Sequence, residues 1–182
     1  QSYPDLWGLQ KIQALESWNR FADPLNDPGR GVVVAVIDTG VDYKHPDLAA
    51  NIWTNPGEIP GNGIDDDQNG YIDDRRGWDF TTCVEFGWWG CVTPKQPGNN
   101  PADKFGHGTH VSGTIAATGN NSLGIIGVAP RSKIMPLKGL NNHGEGSISD
   151  LAEAIVYAAN EGADIINASW GGPGRSKLMH DA

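Results

Sequence analysis

The sequence predicts an α/β fold in which a parallel β-sheet is flanked by helices. Residues 32–37 and 164–169 are runs rich in β-branched and apolar residues, which is typical of strands buried on both faces of a parallel sheet. Residues 147–159, which lie between them, have the apolar periodicity of a helix. Alternation of strand, helix and strand produces right-handed crossovers in a parallel sheet.

The first half of the chain carries one predicted helix and one predicted strand. The helix covers residues 11–18, where apolar residues recur at helical spacing. A turn cluster at 26–31 precedes the strand, which ends at Asp38. Residues 51–106 are rich in Gly, Pro, Asn, Asp and Trp with little periodicity, so we expect loops and short pieces there and no second core.

The second half is more regular. A helix is predicted over residues 107–117 despite its glycines, and a short strand over 133–138. The helix at 147–159 is the clearest of the chain, and Gly162 suits the position just after its end. Ser176 begins a last helix of barely two turns, after which the chain stops. We therefore expect the chain to end inside its domain.

Composition and charge narrow the classes of function. The chain has 182 residues, and 13 Lys and Arg against 22 Asp and Glu give a net charge of −9. This acidic balance argues against nucleic-acid binding, which needs a cationic face, and favours a divalent cation such as calcium. No run approaches 18 apolar residues, so no membrane span is predicted.

The two cysteines, Cys83 and Cys91, lie close together in a segment rich in Gly and Trp. A pair that closes one short loop predicts a local disulfide, an oxidising compartment and hence secretion. Free thiols and half a zinc site are the alternatives, but zinc needs about four ligands and no CxxC or nearby His supplies them. Trp88 and Trp89 in this loop could contact substrate, although burial against the body of the protein is favoured.

The residues best suited to catalysis are Asp38 and His107. Asp38 directly follows the first strand, where open α/β sheets place functional groups, although an Asp before Thr-Gly is also a common turn residue. A zinc pair of His107 and His110 lacks the Glu and the i,i+4 spacing of HExxH. The favoured interpretation joins Asp38 to His107, with the carboxylate fixing the imidazole while its other nitrogen serves as general base.

Several motifs, in order along the chain, resemble those of the subtilisin-like serine proteases. They are VAVIDTGVD at 34–42, HPDL at 45–48, HGTHVSGTIA at 107–116, NSLGIIGVAP at 121–130 and NASWGG at 167–172. The first three resemble the Asp and His signatures of the family, and the last two resemble its next landmarks. The resemblance runs from residue 7 to residue 172. It implies a subtilisin-like three-layer α/β fold, incomplete at the C-terminus.

The resemblance implies a serine endopeptidase with an Asp-His-Ser triad, in which Asp38 orients His107. Its substrate would be a polypeptide that pairs with the cleft as an added strand. The implied cleft residues are Ser169, Trp170 and Gly171 on one edge and Gly144, Glu145 and Gly146 on the other. Position 170 is often a small aliphatic residue in such enzymes, so its Trp leaves the side-chain preference open. A propeptide that is removed is also implied.

The departure from the family is the nucleophile, which lies in a Gly-Thr-Ser-Met-Ala type of motif. Neither Gly-Thr pair of this chain is followed by Ser, and Ser112 and Ser169 match other family positions. We therefore interpret residues 1–182 as the N-terminal portion of one peptidase catalytic domain. The nucleophilic Ser and the oxyanion Asn would belong to a C-terminal remainder, and this chain alone would be inactive. The alternative is a non-catalytic, calcium-dependent protein-binding module.

The acidic segment DDDQNGYIDD at 65–74 is a second, independent signal. With Asp65 at position 1 it follows the EF-hand alternation of oxygen ligands around a glycine turn at Gly70, although Arg76 stands where the Glu of position 12 is expected. The predicted calcium ligands are Asp65, Asp67, Asn69, the Tyr71 carbonyl, Asp73 and, in place of that Glu, Asp74. A solvated acidic turn is the alternative, but so many carboxylates repel one another without a cation.

A second calcium site follows from the resemblance alone. Its implied ligands are Asp47, Asn121, the carbonyl groups of Leu123 and Ile125, and Asp5 from the N-terminal arm. The first calcium loop and the predicted disulfide together mark an insertion at about 55–104. Flanking helices are not evident around the acidic loop, which favours a structural calcium over a sensor.

Overall fold

The computed structural model describes residues 6–20 and 27–182. Its strands are β1 (Val33–Asp38), β2 (Trp78–Asp79), β3 (Cys83–Gly87), β4 (Gly90–Pro94), β5 (Lys133–Lys138) and β6 (Ile165–Asn167). Its helices are α1 (Trp7–Lys11), α2 (Ala14–Arg20), α3 (His107–Ala116), α4 (Ile148–Asn160) and α5 (Lys177–Asp181). None of the helices described is both long and apolar enough to cross a bilayer.

Four strands form a parallel sheet in the order β2–β5–β1–β6. Alternate residues of β1 face opposite sides of this sheet. Val34 and Val36 pack in one apolar cluster with Ala116 of α3, whereas Ala35 and Ile37 pack in another with Leu151, Ala154 and other α4 residues. Helices thus cover both faces, which confirms the predicted α/β fold with a parallel sheet.

Local sequence signals explain where the helices and strands in the second half of the chain begin and end. Strand β5 has the predicted bounds, and the Ser147 side chain caps α4 by accepting the Asp150 N–H. Gly162 follows α4 with a φ of +75°, the left-handed region that favours glycine. Ser176 caps α5 in the same way through the Met179 N–H.

Two elements differ from the prediction. The helix predicted over 11–18 is instead two short helices, broken at residues 12–13, where Gln13 has a φ of +56°. The strand predicted over 164–169 is shorter, and its expected burial is wrong: Ile165 is 53% exposed. The reason is that, among the described strands, β6 is the outermost of the sheet and has β1 as its one partner.

The segment from 51 to 106 holds short pieces, as expected, together with the antiparallel hairpin β3–β4. The predicted disulfide is present, joining Cys83 and Cys91 with their Cα atoms 5.7 Å apart. Gly87 pairs with Gly90, so Trp88 and Trp89 form the two-residue tip. Both are fully exposed, and the favoured burial against the body is therefore wrong.

Candidate active site and acidic loops

The carboxyl end of β1 and the first turn of α3 bring Asp38 and His107 together. His107 Nδ1 lies 2.7 Å from Asp38 Oδ1 and 3.0 Å from Oδ2. The Asp38 side chain is fully buried, whereas that of His107 is 45% exposed. The Thr39 N–H also donates to Asp38 Oδ1, at 2.7 Å. A carboxylate so held fixes the imidazole tautomer and leaves Nε2 to accept a proton.

Asp103 lies beside this pair and accepts five hydrogen bonds. Its Oδ1 accepts from the Thr39 hydroxyl at 3.0 Å and from the N–H groups of Phe105 and Gly106 at 2.9 and 2.8 Å. Its Oδ2 accepts from the N–H and the hydroxyl of Thr109 at 3.0 and 2.6 Å. Burial raises the pKa of Asp103, but the bonds from Gly106, Thr109 and Phe105 outweigh it and hold that pKa below its usual value.

Lys138 supplies a buried cation at the same end of the sheet. It pairs in register with Asp38 across β5 and β1, and its Nζ donates to the Thr39 carbonyl at 2.6 Å. Burial lowers the pKa of Lys138, and the charges of Asp79 and Asp103 oppose that shift. Neither Lys138 nor Asp103 was identified from the sequence, because their partners are set by the packing of β1, β5 and α3.

A groove of about 500 Å³ brings together five of the six predicted cleft residues. They are Gly144, Glu145, Gly146, Trp170 and Gly171, and the groove is completed by apolar side chains that include Ile148, Leu151 and Met179. Trp170 Nε1 donates to the Ile37 carbonyl at 2.7 Å, which fixes the indole on the end of β1. Ser169 does not line the groove, and its hydroxyl accepts from Asn167 Nδ2 at 2.9 Å.

In the acidic loop, Asp65 and Asp67 meet a third carboxylate, Glu58, with one oxygen of each lying within 4.8 Å of the others. Glu58 is 7% exposed, and its Oε1 accepts the Asp66 N–H at 2.8 Å. Its Oε2 is buried and has no hydrogen-bond partner among the described residues. Gly57 permits this approach, because a Cβ there would lie 2.7 Å from that of Asp67. Sequence reasoning missed Glu58, which precedes the EF-hand-like spacing.

Asp73, another predicted ligand, is not part of this three-carboxylate cluster. Its Oδ1 accepts the N–H groups of Gly61 and Asn62 at 2.6 and 3.2 Å, and its Oδ2 accepts the N–H of Gly63 at 2.9 Å. Gly70 has a φ of +96°, as the sharp turn of the predicted loop requires.

Asp74 is fully buried in a hydrogen-bond network beneath the loop. It accepts the Tyr157 hydroxyl at 2.5 Å and Asn55 Nδ2 at 2.8 Å. Asn69 Nδ2 also donates to Asp74, at 2.9 Å, while Asn69 Oδ1 accepts the Tyr71 N–H at 2.8 Å. Burial and the bond to Asp74 raise the pKa of Tyr157, so it remains a proton donor to that carboxylate.

Two of the residues predicted for the second calcium site, Asp47 and Asn121, are hydrogen-bonded to each other. Asp47 is buried, and its carboxylate accepts Asn121 Nδ2 at 2.6 Å and the Ile125 N–H at 3.0 Å. Asn121 Oδ1 accepts the Leu123 N–H at 3.0 Å, so the loop from 121 to 125 encloses the Asp47 side chain. Asp5 lies outside the described residues.

Several known proteins are similar to this chain over most of its length. The chain is 41% identical to Subtilisin-like protease 1 of Plasmodium berghei over 138 residues, and this alignment covers 75% of the chain and 21% of that protein. It is 37% identical to the Intracellular serine protease of Paenibacillus polymyxa over 96% of this chain and 42% of that protein. It is 36% identical to Thermitase of Thermoactinomyces vulgaris over 91% of this chain and 44% of that protein.

The chain thus spans about a fifth of the Plasmodium relative and less than half of each bacterial one. Residues 29–182 match the sequence pattern described as the Subtilase family. That match covers most of the chain, including both Asp38 and His107. The chain therefore belongs to the subtilase family of serine proteases.

Proposed function

We propose that residues 1–182 supply the Asp and the His of an Asp-His-Ser triad in an endopeptidase that cleaves peptide bonds through an acyl-enzyme. The observation that carries this proposal is the contact of 2.7 Å between His107 Nδ1 and the buried carboxylate of Asp38. His107 Nε2 takes the proton of the nucleophilic hydroxyl as its oxygen attacks the peptide carbonyl, and gives that proton to the leaving amine as the peptide C–N bond breaks. Asp38 holds the required tautomer and stabilises the imidazolium.

The nucleophilic Ser and the oxyanion Asn come, in this proposal, from outside residues 1–182, because no Gly-Thr-Ser motif occurs among them. This chain alone is then inactive. A polypeptide substrate pairs with residues 169–171 on one side and 144–146 on the other. One of its side chains enters the apolar groove closed by Trp170. A propeptide that is removed on maturation is part of the same proposal.

The test is covalent labelling of the complete protein with a serine-directed fluorophosphonate, followed by intact mass measurement and peptide mapping. We expect one label, on a Ser outside residues 1–182, and its loss in the His107→Ala variant. Peptide hydrolysis by purified residues 1–182 that a serine-directed inhibitor abolishes would contradict the proposed division of the triad. Label on Ser112 or Ser169 would contradict it as well.

A second candidate function is a calcium-dependent protein-binding module that keeps the cleft and lacks a nucleophile. The observation that favours it is the intact groove in a chain without a Gly-Thr-Ser motif. This candidate predicts no label at any Ser of the complete protein, together with peptide binding that calcium chelation abolishes. The labelling experiment therefore separates the two.

We also propose that the acidic loop holds a structural calcium between Asp65, Asp67 and Glu58. The unpartnered Glu58 Oε2 supports this, because a buried carboxylate oxygen next to two other carboxylates is unfavourable unless a cation compensates it. Calcium prefers such carboxylate oxygens. The Asp47 loop, with Asn121 and the carbonyl groups of Leu123 and Ile125, is proposed as the second calcium site.

Secretion remains part of the proposal. It is supported by the disulfide between Cys83 and Cys91, since such bonds persist in oxidising compartments. Mass spectrometry of the culture medium and of the cell fraction of the source would locate the protein. The proposal fails if the protein remains in a reducing compartment with both thiols free.

A further inference from the structure

The carboxylate of Asp103 connects the strand that ends in Asp38 to the helix that begins with His107. On the strand side, Oδ1 accepts the hydroxyl of Thr39, the residue directly after Asp38. On the helix side, Oδ2 accepts both the N–H and the hydroxyl of Thr109, two residues after His107. One side chain thus contacts the neighbours of both members of the pair.

The start of α3 depends on these contacts, because the first N–H groups of a helix have no acceptor within it. Gly106, which precedes the helix, provides no side-chain cap. Instead, the Gly108 N–H donates to the Thr39 hydroxyl at 3.0 Å, and the Thr109 N–H donates to Asp103. The first turn, which carries His107, is therefore fixed to the end of β1.

A further bond closes the network on the other side of the strand end. The Asp42 N–H donates to the Thr109 hydroxyl at 2.9 Å, while that hydroxyl donates to Asp103. Together with the bonds from Phe105 and Gly106, this arrangement leaves the Asp103 carboxylate surrounded by donors from both elements. Charged acceptors make stronger hydrogen bonds than neutral ones.

We propose that Asp103 is a positioning residue, which sets the geometry of His107 against Asp38 by holding Thr39 and the first turn of α3 on one carboxylate. Its five hydrogen bonds go to the residues around Asp38 and His107 and not to those two side chains. The inference rests on the proposed protease function, and its consequence follows from the geometry: displacement of a reacting group by about 1 Å lowers the rate by about 100-fold.

The test is the Asp103→Asn variant of the complete protein. The Asn amide has only one acceptor oxygen. In either orientation its NH₂ group faces hydrogen-bond donors, because both carboxylate oxygens of Asp103 accept from donors. We expect kcat to fall by about 10- to 100-fold with KM little changed, since the peptide cleft is not altered. We also expect loss or strong broadening of the downfield proton NMR signal of the proton between His107 Nδ1 and Asp38.

The Asp150→Asn variant is the matched control. The Asp150 carboxylate accepts the N–H and the hydroxyl of Thr82 at 2.9 and 3.1 Å, the same pair of bonds that Thr109 makes to Asp103. Among the described residues, the side-chain hydrogen bonds of Asp150 involve neither α3 nor Thr39. This variant should lose an equivalent pair of hydrogen bonds but keep both kcat and the NMR signal.

A second pair of variants addresses the strand side without changing Asp103. Thr39→Val removes the hydroxyl that links Asp103 to Gly108, whereas Thr39→Ser keeps it. We expect the Val variant to lose kcat and the signal, and the Ser variant to restore most of both. The effects of Thr39→Val and Asp103→Asn on kcat should be less than additive, because both remove the same link.

The inference is overturned if Asp103→Asn keeps kcat and the NMR signal, or if Thr39→Val does. It is also overturned if Asp150→Asn causes the same losses, because Asp103 would then act only through general stability. The protease proposal fails separately. A complete protein without peptidase activity, whose His107 signal still disappears in Asp103→Asn, would refute that proposal and leave the positioning role in place.

Discussion

Gly108, the second residue of α3, lies directly against the carbonyl oxygen of Gly40. A Cβ added at Gly108 would lie 2.1 Å from that oxygen and 3.0 Å from the Cβ of Asp38. Both contacts are to rigid parts of the strand end. The contact between His107 and Asp38 therefore requires a helix without a side chain at its second position.

The Gly108→Ala variant tests this requirement. Because the carbonyl cannot move aside, the helix must shift, and we expect a loss of about 1–3 kcal/mol in the free energy of unfolding. His107 should separate from Asp38, with loss of their shared proton signal. The measurement is urea unfolding combined with NMR.

Gly113→Ala is the control for the same helix. Among the described residues, the atom that a Cβ at Gly113 would meet within 4 Å is Ile125 Cδ1, at 3.7 Å, which is ordinary contact. Alanine in a helix interior is favoured over glycine by about 1 kcal/mol, so this variant should be more stable than the wild type. Equal destabilisation by both alanines would contradict the argument from close approach.

Replacing Asp38 by Asn should separate catalysis from folding. The Thr39 N–H still has an oxygen to donate to, but an amide NH₂ facing His107 Nδ1 selects the wrong imidazole tautomer. In the complete protease we expect kcat to fall by about 10⁴-fold, while KM changes little. Steady-state kinetics with a peptide substrate would measure this, and a loss below tenfold would argue against a triad.

The proposed calcium site in the acidic loop predicts opposite effects of Glu58→Gln on stability with and without calcium. Without calcium the variant should be the more stable, because a buried carboxylate beside Asp65 and Asp67 becomes neutral. With calcium it should be the less stable, since an ion at 100 times its Kd stabilises by about 2.7 kcal/mol. Thermal unfolding with calcium and with chelator measures both.

Two further variants of the same loop sharpen this test. Asp66→Asn is the control, because the Asp66 carboxylate accepts from the Ile59 N–H and Asn62 Nδ2 and lies outside the cluster. Asp73→Asn distinguishes two hypotheses about the calcium ligands, because Asp73 belongs to the EF-hand-like set but not to the cluster with Glu58. If Asp73→Asn loses calcium binding while Glu58→Gln keeps it, the EF-hand-like ligand set is correct and the cluster with Glu58 is not the calcium site.

How far the sequence could predict these features depends on the range of the interactions. The helix 148–160 and the strand 133–138 follow from local periodicity and caps, and the pairing of Asp38 with His107 follows from motifs. Asp103 could not be predicted in this way, because its role depends on how the first turn of α3 meets the end of β1. The one sequence signal for Asp103 is its position four residues before His107, close enough to reach the start of the helix.

Exposure was the property least accessible to sequence reasoning. The residues of β6 have the composition of a buried strand, but their burial depends on what lies beside the sheet, and β1 is their one partner among the described strands. Trp88 and Trp89 are apolar in composition, yet the pairing of Gly87 with Gly90 leaves them at the tip of a hairpin. Tertiary context decided both cases.

The depressed pKa of Asp103 predicts a stability effect that depends on pH. Hydrogen bonds hold the pKa of the folded state below that of the unfolded chain, which is about 4. The ionised carboxylate therefore adds stability above about pH 4, and this contribution disappears as the pH falls through the pKa of the folded state. The Asp103→Asn variant has no such contribution at any pH.

Urea unfolding of the wild type and Asp103→Asn over a pH series would measure this difference. We expect a constant gap in the free energy of unfolding above about pH 5 that narrows below about pH 4. Thr109→Val removes one donor to the carboxylate, so it should raise the pKa of Asp103 in the folded state. In this background the gap should be smaller above about pH 5 and should stop narrowing at a higher pH, while the onset of the narrowing stays near the pKa of the unfolded chain. A gap of the same size from neutral pH down to acid unfolding would mean that Asp103 is not held ionised by these donors.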